Sequence, residues 1–199
     1  MKLIVGVIAL TLANLTSFFA GTAISSISAS YYEEGPSHVI FIGFLFAISA
    51  FLLAYNGYTR WQMILSKVAG IATACIALFP CGCDGIHHEV VPYVHFASAA
   101  ATFAILAFFC YVFFQRAMAK DSGPARSRAF IYAICGVVIV LVIIVLGLDR
   151  LSVINFHAPR LTYYGEKVAL LAFGVSWLTA SHWLPVITTQ QERAAAHDA

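Results

Sequence analysis

The sequence predicts an all-α membrane protein, a six-helix antiparallel bundle with both termini on the cytoplasmic side. Apolar residues make up 61% of the 199 residues and charged residues only 10%, against about 45–50% and about 25% in soluble domains. The mean hydropathy is +0.88, and the apolar residues fall into six runs long enough to cross a bilayer. Because so few charges cannot form a water-exposed surface, we expect lipid to solvate the outside of the bundle.

The first predicted helix follows Met1 and Lys2. A charged start and an apolar body are also features of a signal peptide. However, residues 3–24 form an apolar run of about 20 residues, as long as a membrane span, whereas the apolar part of a signal peptide has about 7–15. We therefore interpret this stretch as an uncleaved first helix.

Five further apolar runs predict the remaining helices. They cover residues 39–55, 63–79, 92–114, 129–148 and 165–184. Asn56-Gly57 is a turn signal between the second and third runs, and Pro92 suits the first turn of the fourth helix. Polar and basic loops are expected at residues 25–37 and 115–128. Residues 1–186 then form one transmembrane domain, and residues 187–199 form a short cytoplasmic tail.

The distribution of lysine and arginine predicts the orientation. The side that holds both termini carries Lys2, Arg60, Lys67, Arg116, Lys120, Arg126, Arg128 and Arg193. The other side carries Arg150, Arg160 and Lys167. This bias places both termini in the cytoplasm, and we interpret Arg126 and Arg128 as orientation signals alone. A formal net charge of +2 without a dense basic patch argues against a nucleic-acid partner.

The outer side receives most residues capable of acid–base chemistry. These are Glu33, Glu34, Asp84, Glu89, Asp149 and Glu166, with His38, His87, His88, His95 and His157. Tyr31, Tyr32, Tyr93, Tyr163 and Tyr164 lie at the same level and suit an interfacial aromatic belt. The sequence therefore predicts a polar outer face on an otherwise apolar protein.

A divalent metal such as zinc is one candidate occupant of this face. Asp84, His87, His88 and His95 are ligand types that zinc accepts. On a continuous helix, His88 and His95 lie roughly 10 Å apart along the axis, so they share an ion only if the chain bends before Pro92. The alternative is a hydrated outer loop with interfacial histidines.

The cysteines do not form a disulfide framework. Cys75, Cys110 and Cys135 lie in apolar runs, where cysteine usually acts as a small buried hydrophobe. Cys81 and Cys83 are separated by one residue, which allows a tight disulfide at best. Thiol exchange is not favoured, because the Cys-x-x-Cys spacing is missing.

Two ionisable residues lie inside predicted spans. His95 falls about one turn into the fourth helix, and Glu166 falls near the start of the sixth. Such residues usually face the bundle interior and pair with one another, so we predict a His95–Glu166 contact that serves proton transfer or clasps two helices.

The serine-rich residues 25–30 could supply a nucleophile with His95 as base. They lack a Gly-x-Ser-x-Gly elbow, and serine also packs helices in membranes.

Several short motifs resemble an uncharacterised family of bacterial six-helix membrane proteins. They are Ser-Ile-Ser-Ala-Ser-Tyr-Tyr at 26–32, Ala-Leu-Phe-Pro at 77–80, His95, Arg128 with Tyr132 and Cys135-Gly136, and Glu166 with Phe-Gly-Val-Ser-Trp-Leu at 173–178. The resemblance implies a bacterial inner-membrane protein and carries no assigned activity; the matching polar positions are Ser28, Tyr31, Tyr32, His95, Arg128 and Glu166.

The gathered serine, aspartate and histidine residues are also remotely similar to the ceramidase-type membrane hydrolases, which hold zinc. Those proteins have seven spans and a His-x-x-x-His pair on the last, whereas this chain has six predicted spans and offers only His182 there.

These observations predict a periplasm-facing polar pocket that binds a small ligand or a lipid headgroup, without an assigned catalytic residue. The pocket candidates are Ser28, Tyr31, Tyr32, His95 and Glu166. The alternatives are a metal-dependent hydrolase acting on a lipid of the outer leaflet, and an accessory subunit that contacts a membrane-protein partner.

Overall fold

The structure is a computed structural model that describes residues 2–83, 90–120, 122–189 and 192. Over these residues the chain is helical, without strands. The long helices are α1 (Lys2–Phe19), α2 (Pro36–Ala54), α3 (Arg60–Leu78), α4 (Val91–Met118), α5 (Gly123–Arg150) and α6 (Leu161–Thr179). Short 3₁₀ helices cover Ser28–Tyr32 and Pro185–Ile187. The predicted all-α six-helix bundle is confirmed.

The six long helices form a closed ring. Each packs against the helices before and after it in the chain, and α6 packs against α1. Gly6 of α1 and Gly174 of α6 allow the last contact, because a Cβ atom on Gly6 would lie 3.0 Å from the Gly174 carbonyl oxygen. Small residues are the usual means by which membrane helices approach closely. The N-terminal helix is thus a full member of the bundle.

The outside of the bundle suits a lipid environment. Within the described residues, α1 to α5 are long and apolar enough to cross a membrane. Val137, Leu141 and Ile144 follow one another at helical spacing on α5 and are half-exposed, an arrangement that requires an apolar solvent. α6 carries Glu166 and Lys167 in its first turns and is as long as α2.

One predicted loop is wrong. Residues 115–128 are mostly helical, because α4 continues to Met118 and α5 begins at Gly123. Ser122 starts α5 by accepting a hydrogen bond from the Ala125 N–H, and Pro124 stands in the first turn, where its missing N–H costs nothing. The charged residues of this region are therefore carried on helix ends.

The expected polar loop at residues 25–37 does connect α1 to α2, but its first half is buried. α1 ends at Phe19, and the following chain turns back into the bundle. Ser26, Ser28 and Ser30 are 3%, 7% and 0% exposed, and Ile24 and Ile27 join the apolar core. We call residues 24–32 the re-entrant segment. The segment buries polar backbone and hydroxyl groups between the helices, near one end of the bundle. Buried polar groups need hydrogen-bond partners.

Candidate ligand-binding site

The hydroxyl of Ser28 joins His95 and Glu166. Ser28 Oγ lies 3.1 Å from His95 Nε2 and 3.1 Å from Glu166 Oε1. Ser28 comes from the re-entrant segment, His95 from the first turns of α4 and Glu166 from those of α6. The structure thus brings the two predicted residues to one serine, and the hydrogen-bonded link between them passes through that serine.

The ring of His95 is oriented from its other nitrogen. His95 Nδ1 lies 2.7 Å from the carbonyl oxygen of Phe79, at the end of α3. A carbonyl oxygen only accepts, so Nδ1 carries the proton of this bond and donates it. His95 Nε2 then faces Ser28, and the ring is 2% exposed. Groups on two different elements therefore fix the orientation of the ring, and Nδ1 carries a proton.

The hydrogen-bond count allows two proton arrangements. The hydroxyl of Ser28 has one proton and can donate to only one neighbour. If it donates to Glu166, His95 must be protonated on Nε2 and donate to Ser28. If it donates to His95, Glu166 must carry the proton and donate to Ser28. The two arrangements differ by transfer of one proton along the chain, and neither has a net charge.

The second carboxylate oxygen of Glu166 binds the backbone of the re-entrant segment. Oε2 accepts from the N–H of Ile27 at 2.5 Å and from that of Ser28 at 3.4 Å. No cation of the described chain forms an ion pair with this carboxylate. The N–H groups at the start of the 3₁₀ helix therefore supply the polar contacts that a buried carboxylate needs.

The start of α6 anchors the rest of the re-entrant segment. The N–H of Tyr163 donates to the Ser25 carbonyl at 3.1 Å, and Arg160 Nε donates to that of Ile24 at 2.8 Å. The Arg160 guanidinium also lies over the Tyr163 ring, 4.2 Å from its centre. Together with Glu166, Arg160 and Tyr163 attach the segment to the start of α6 at intervals of three residues, so the position of Ser28 follows from the packing of α6.

A mainly apolar cavity extends from Ser28 and Glu166 into the bundle. It measures about 550 Å³, counting the space open to solvent. Its apolar wall comes from Leu12, Ile27, Phe41, Leu45, Ile48, Ile76, Ala99, Phe103, Leu106, Leu170 and Phe173. Thr73 and Thr102 also line it, and their hydroxyls lie 3.5 Å apart. Sequence reasoning did not select these threonines, because single threonines in apolar runs are ordinary packing residues.

Tyr31 and Tyr32 lie at the same end, beside the linked residues. The Tyr32 hydroxyl accepts from the N–H of Gly82 at 3.2 Å, and the two tyrosine rings pack edge to face. The ring of His38 packs on Tyr31, and its Nδ1 contacts the Tyr31 carbonyl. The two tyrosines thus attach the re-entrant segment to α2 and to the chain after α3.

The metal prediction stays open. Asp84, His87 and His88 lie outside the described residues. His95 has both ring nitrogens engaged, by Phe79 and Ser28. Over the part of the chain that the structure describes, three or more His, Cys, Asp or Glu side chains do not meet in an arrangement that could hold a metal ion.

Cys81 and Cys83 form a disulfide, with Cα atoms 5.2 Å apart. The sulfur of Cys83 lies 3.7 Å from the hydroxyl of Ser26, so the bond sits against the re-entrant segment. Cys110 and Cys135 are free and buried, as predicted for small hydrophobes. Cys81 and Cys83 are therefore paired with each other and are not free thiols.

At the opposite end of the bundle, the interpretation of Arg128 as an orientation signal alone is wrong. Arg128 is 1% exposed, donates to the Ile187 carbonyl at 2.6 Å and forms an ion pair with Glu192. Lys120 also binds Glu192, at 2.8 Å. Burial raises the pKa of Glu192, but the hydrogen bonds from Lys120 and Arg128 lower it by more, to about 2. Only the fold brings these residues together, since Glu192 lies 64 positions beyond Arg128.

Comparison of the chain with protein-family models, with curated proteins and with solved structures finds no match. The family resemblance of its short motifs therefore stays a prediction, and the function is argued from the site itself.

Proposed function

We propose that the protein is a multi-pass protein of the bacterial inner membrane that binds a small amphipathic molecule or lipid at its periplasmic side. Ser28 and Glu166 contact the polar headgroup, and the cavity receives the apolar part. One observation carries the proposal: these two residues belong both to the hydrogen-bonded link with His95 and to the cavity wall. Ligand sites typically combine apolar walls with a few polar groups that set orientation.

The polar end of the cavity favours a headgroup without net charge. Both proton arrangements of His95, Ser28 and Glu166 are neutral overall, so a charged headgroup would lose its hydration without gaining an opposite charge. An alcohol or an amide can donate to the remaining oxygen lone pairs of the Glu166 carboxyl group without bringing a charge into the cavity.

Two independent features support the periplasmic placement. The Cys81–Cys83 disulfide lies at the end of the bundle that holds Ser28. Disulfides persist in oxidising compartments such as the periplasm. Lysine and arginine are concentrated at the other end, as expected for the cytoplasmic side. A C-terminal reporter that is active only outside the cytoplasm would contradict this orientation.

The ligand class can be tested with three compounds of equal chain length: dodecanol, dodecylammonium and dodecanoate. A ligand that binds the folded state raises the unfolding temperature with its concentration. We expect dodecanol to raise it most. Ala99→Phe, which fills the cavity wall, should abolish the effect, whereas Ala100→Phe on the exposed face of α4 should retain it. Equal responses of both variants would show that the cavity is not the binding site.

A hydrolase is the second candidate, favoured by the contact between Ser28 Oγ and His95 Nε2. A serine nucleophile needs such a base and also donors for the oxyanion. The nearest backbone donors, the N–H groups of Ile27 and Ser28, are occupied by Glu166. Covalent labelling of Ser28 by a fluorophosphonate, absent in His95→Ala, would favour the hydrolase over a binding protein. Metal analysis of the purified protein with and without chelator tests whether such a hydrolase depends on a metal. Co-purification of a second protein at a stoichiometric ratio would favour the role of an accessory subunit.

A further inference from the structure

A second cleft lies at the end of the bundle opposite to Ser28. It measures about 430 Å³, counting the space open to solvent. Four cationic side chains line it: Lys2 of α1, Arg116 near the end of α4, Lys120 just after that helix, and Arg128 of α5. His182, after α6, lines it too, and His182 Nδ1 is buried without a partner in the described chain. The cleft therefore gathers positive charge and donor groups from four parts of the fold.

Two of these cations hold a carboxylate of the chain itself, that of Glu192. Arg128 Nη1 and Nη2 lie 3.0 Å and 2.8 Å from the two carboxylate oxygens of Glu192. Lys120 Nζ lies 2.8 Å from one of them. A guanidinium that is fixed by burial and presents two parallel N–H groups matches the geometry of carboxylate and of phosphate.

The remaining cations have no carboxylate partner in the described chain. The Arg116 guanidinium stacks on the ring of Tyr58, 3.3 Å from its centre. Lys2 Nζ lies 5.4 Å from the centre of the Phe113 ring and 5.7 Å from that of Tyr58. Ring faces attract cations weakly and do not neutralise them. Among the described residues, Glu192 thus pairs with two of the four cations that line the cleft, and Lys2 and Arg116 remain without a carboxylate.

We propose that this cleft binds a phosphate-bearing anion, which Arg116, Lys2 and Lys120 contact and with which Glu192 competes for Lys120 and Arg128. A phosphate group offers more charge and more oxygen acceptors than one carboxylate, which suits cations that converge from three helices. The phosphate can belong to a phospholipid headgroup or to a soluble phosphate compound. The site is remote from Ser28, so this proposal and the proposed function can fail independently.

The test uses the full-length protein in dodecyl maltoside micelles, which contain no phosphate. Inorganic phosphate and short-chain phosphatidylglycerol are titrated separately by calorimetry, with chloride keeping the ionic strength constant. Arg116→Gln should weaken binding at least tenfold. Glu192→Gln should tighten it at least threefold, because the competing charge is removed. Arg60→Gln is the matched control, since Arg60 is exposed at the same end and lies outside the cleft lining.

The results of the two titrations distinguish a soluble ligand, a lipid headgroup and the absence of a specific site. Binding of inorganic phosphate with these variant effects supports the site and a soluble ligand. Binding of phosphatidylglycerol alone, with the same effects, supports the site and a lipid headgroup. If Arg60→Gln weakens binding as much as Arg116→Gln, the attraction is that of a general basic surface and the proposal is overturned. It is also overturned if neither compound binds, or if Glu192→Gln leaves the affinity unchanged in a protein whose circular dichroism is normal.

Discussion

The hydroxyl of Ser28 lies 3.1 Å from the carboxyl group of Glu166, which is 138 residues away in the chain. The contact exists because the chain after α1 turns back into the bundle and meets the first turns of α6. It completes a link to His95, and both residues line an apolar cavity. A polar link of this kind is stable only while every member has its partner.

Removing the Ser28 hydroxyl should therefore destabilise the protein. We expect Ser28→Ala to lower the free energy of unfolding by about 1–3 kcal/mol, because Nε2 of His95 and Oε1 of Glu166 lose their shared partner. Ser30→Ala is the matched control, since the Ser30 hydroxyl is buried in the same 3₁₀ helix without a partner in the described chain. Reversible unfolding in detergent measures both; equal losses would show that the link adds nothing.

Glutamine should replace Glu166 with little loss. Its carbonyl can accept from the N–H groups of Ile27 and Ser28, and its amide can donate to Ser28 Oγ, whose proton then goes to His95. We expect Glu166→Gln to change the free energy of unfolding by less than about 1 kcal/mol, and Glu166→Ala to lower it by at least about 2 kcal/mol.

The same variant tests the proton arrangement. In Glu166→Gln, ¹⁵N spectra of the histidines should show His95 neutral with its proton on Nδ1, because the amide occupies the place of the protonated carboxyl. A doubly protonated His95 ring at neutral pH in this variant would contradict the two-arrangement description.

The contact of α1 with α6 depends on glycine. Gly6→Ala should lower the free energy of unfolding by about 1–3 kcal/mol, because the added methyl would lie 3.0 Å from the Gly174 carbonyl oxygen and 3.0 Å from the Leu178 nitrogen. Gly43→Ala on α2 is the control, since nothing lies within 4 Å of its Cβ position. That change should be neutral or stabilise by up to about 1 kcal/mol. The prediction is wrong if the two glycines tolerate alanine equally.

The ion pair of Glu192 should make stability depend on acid pH. Its pKa falls from 4.5 to about 2 in the folded protein, so the ionised carboxylate stabilises the fold fully above about pH 4.5. The stabilisation decreases as the pH falls below that value and is lost near pH 2. Wild type should therefore exceed Glu192→Gln in stability at pH 7, and the difference should shrink at pH 3. A difference of the same size at both pH values would contradict the ion pair.

Alkylation of the denatured protein tests the disulfide. Without reductant, we expect modification of three cysteines, Cys75, Cys110 and Cys135, and with reductant modification of all five. Mass spectrometry counts the added groups. Five modified cysteines without reductant, in protein purified from the membrane without exposure to thiols, would show that Cys81 and Cys83 are not bonded.

Apolar patterning was sufficient to predict the bundle, because a membrane span must be both long and apolar, and that requirement is visible in the sequence. Once the spans are assigned, the division of lysine and arginine between the two sides can be counted directly from the sequence. Helix ends were less predictable. The start of α5 depends on Ser122 and Pro124, which were interpreted as loop signals but serve as the cap and first turn of a helix.

For the site, the sequence by itself determined that His95 and Glu166 are costly inside a membrane and need partners at one end of the bundle. Only the tertiary structure decided that Ser28 stands between them and that Arg128 is held by Glu192. Serines after a helix look like a solvent-exposed loop, and a basic residue near a helix end looks like an orientation signal. Whether such groups are buried depends on contacts between residues far apart in the chain, which local patterns do not contain.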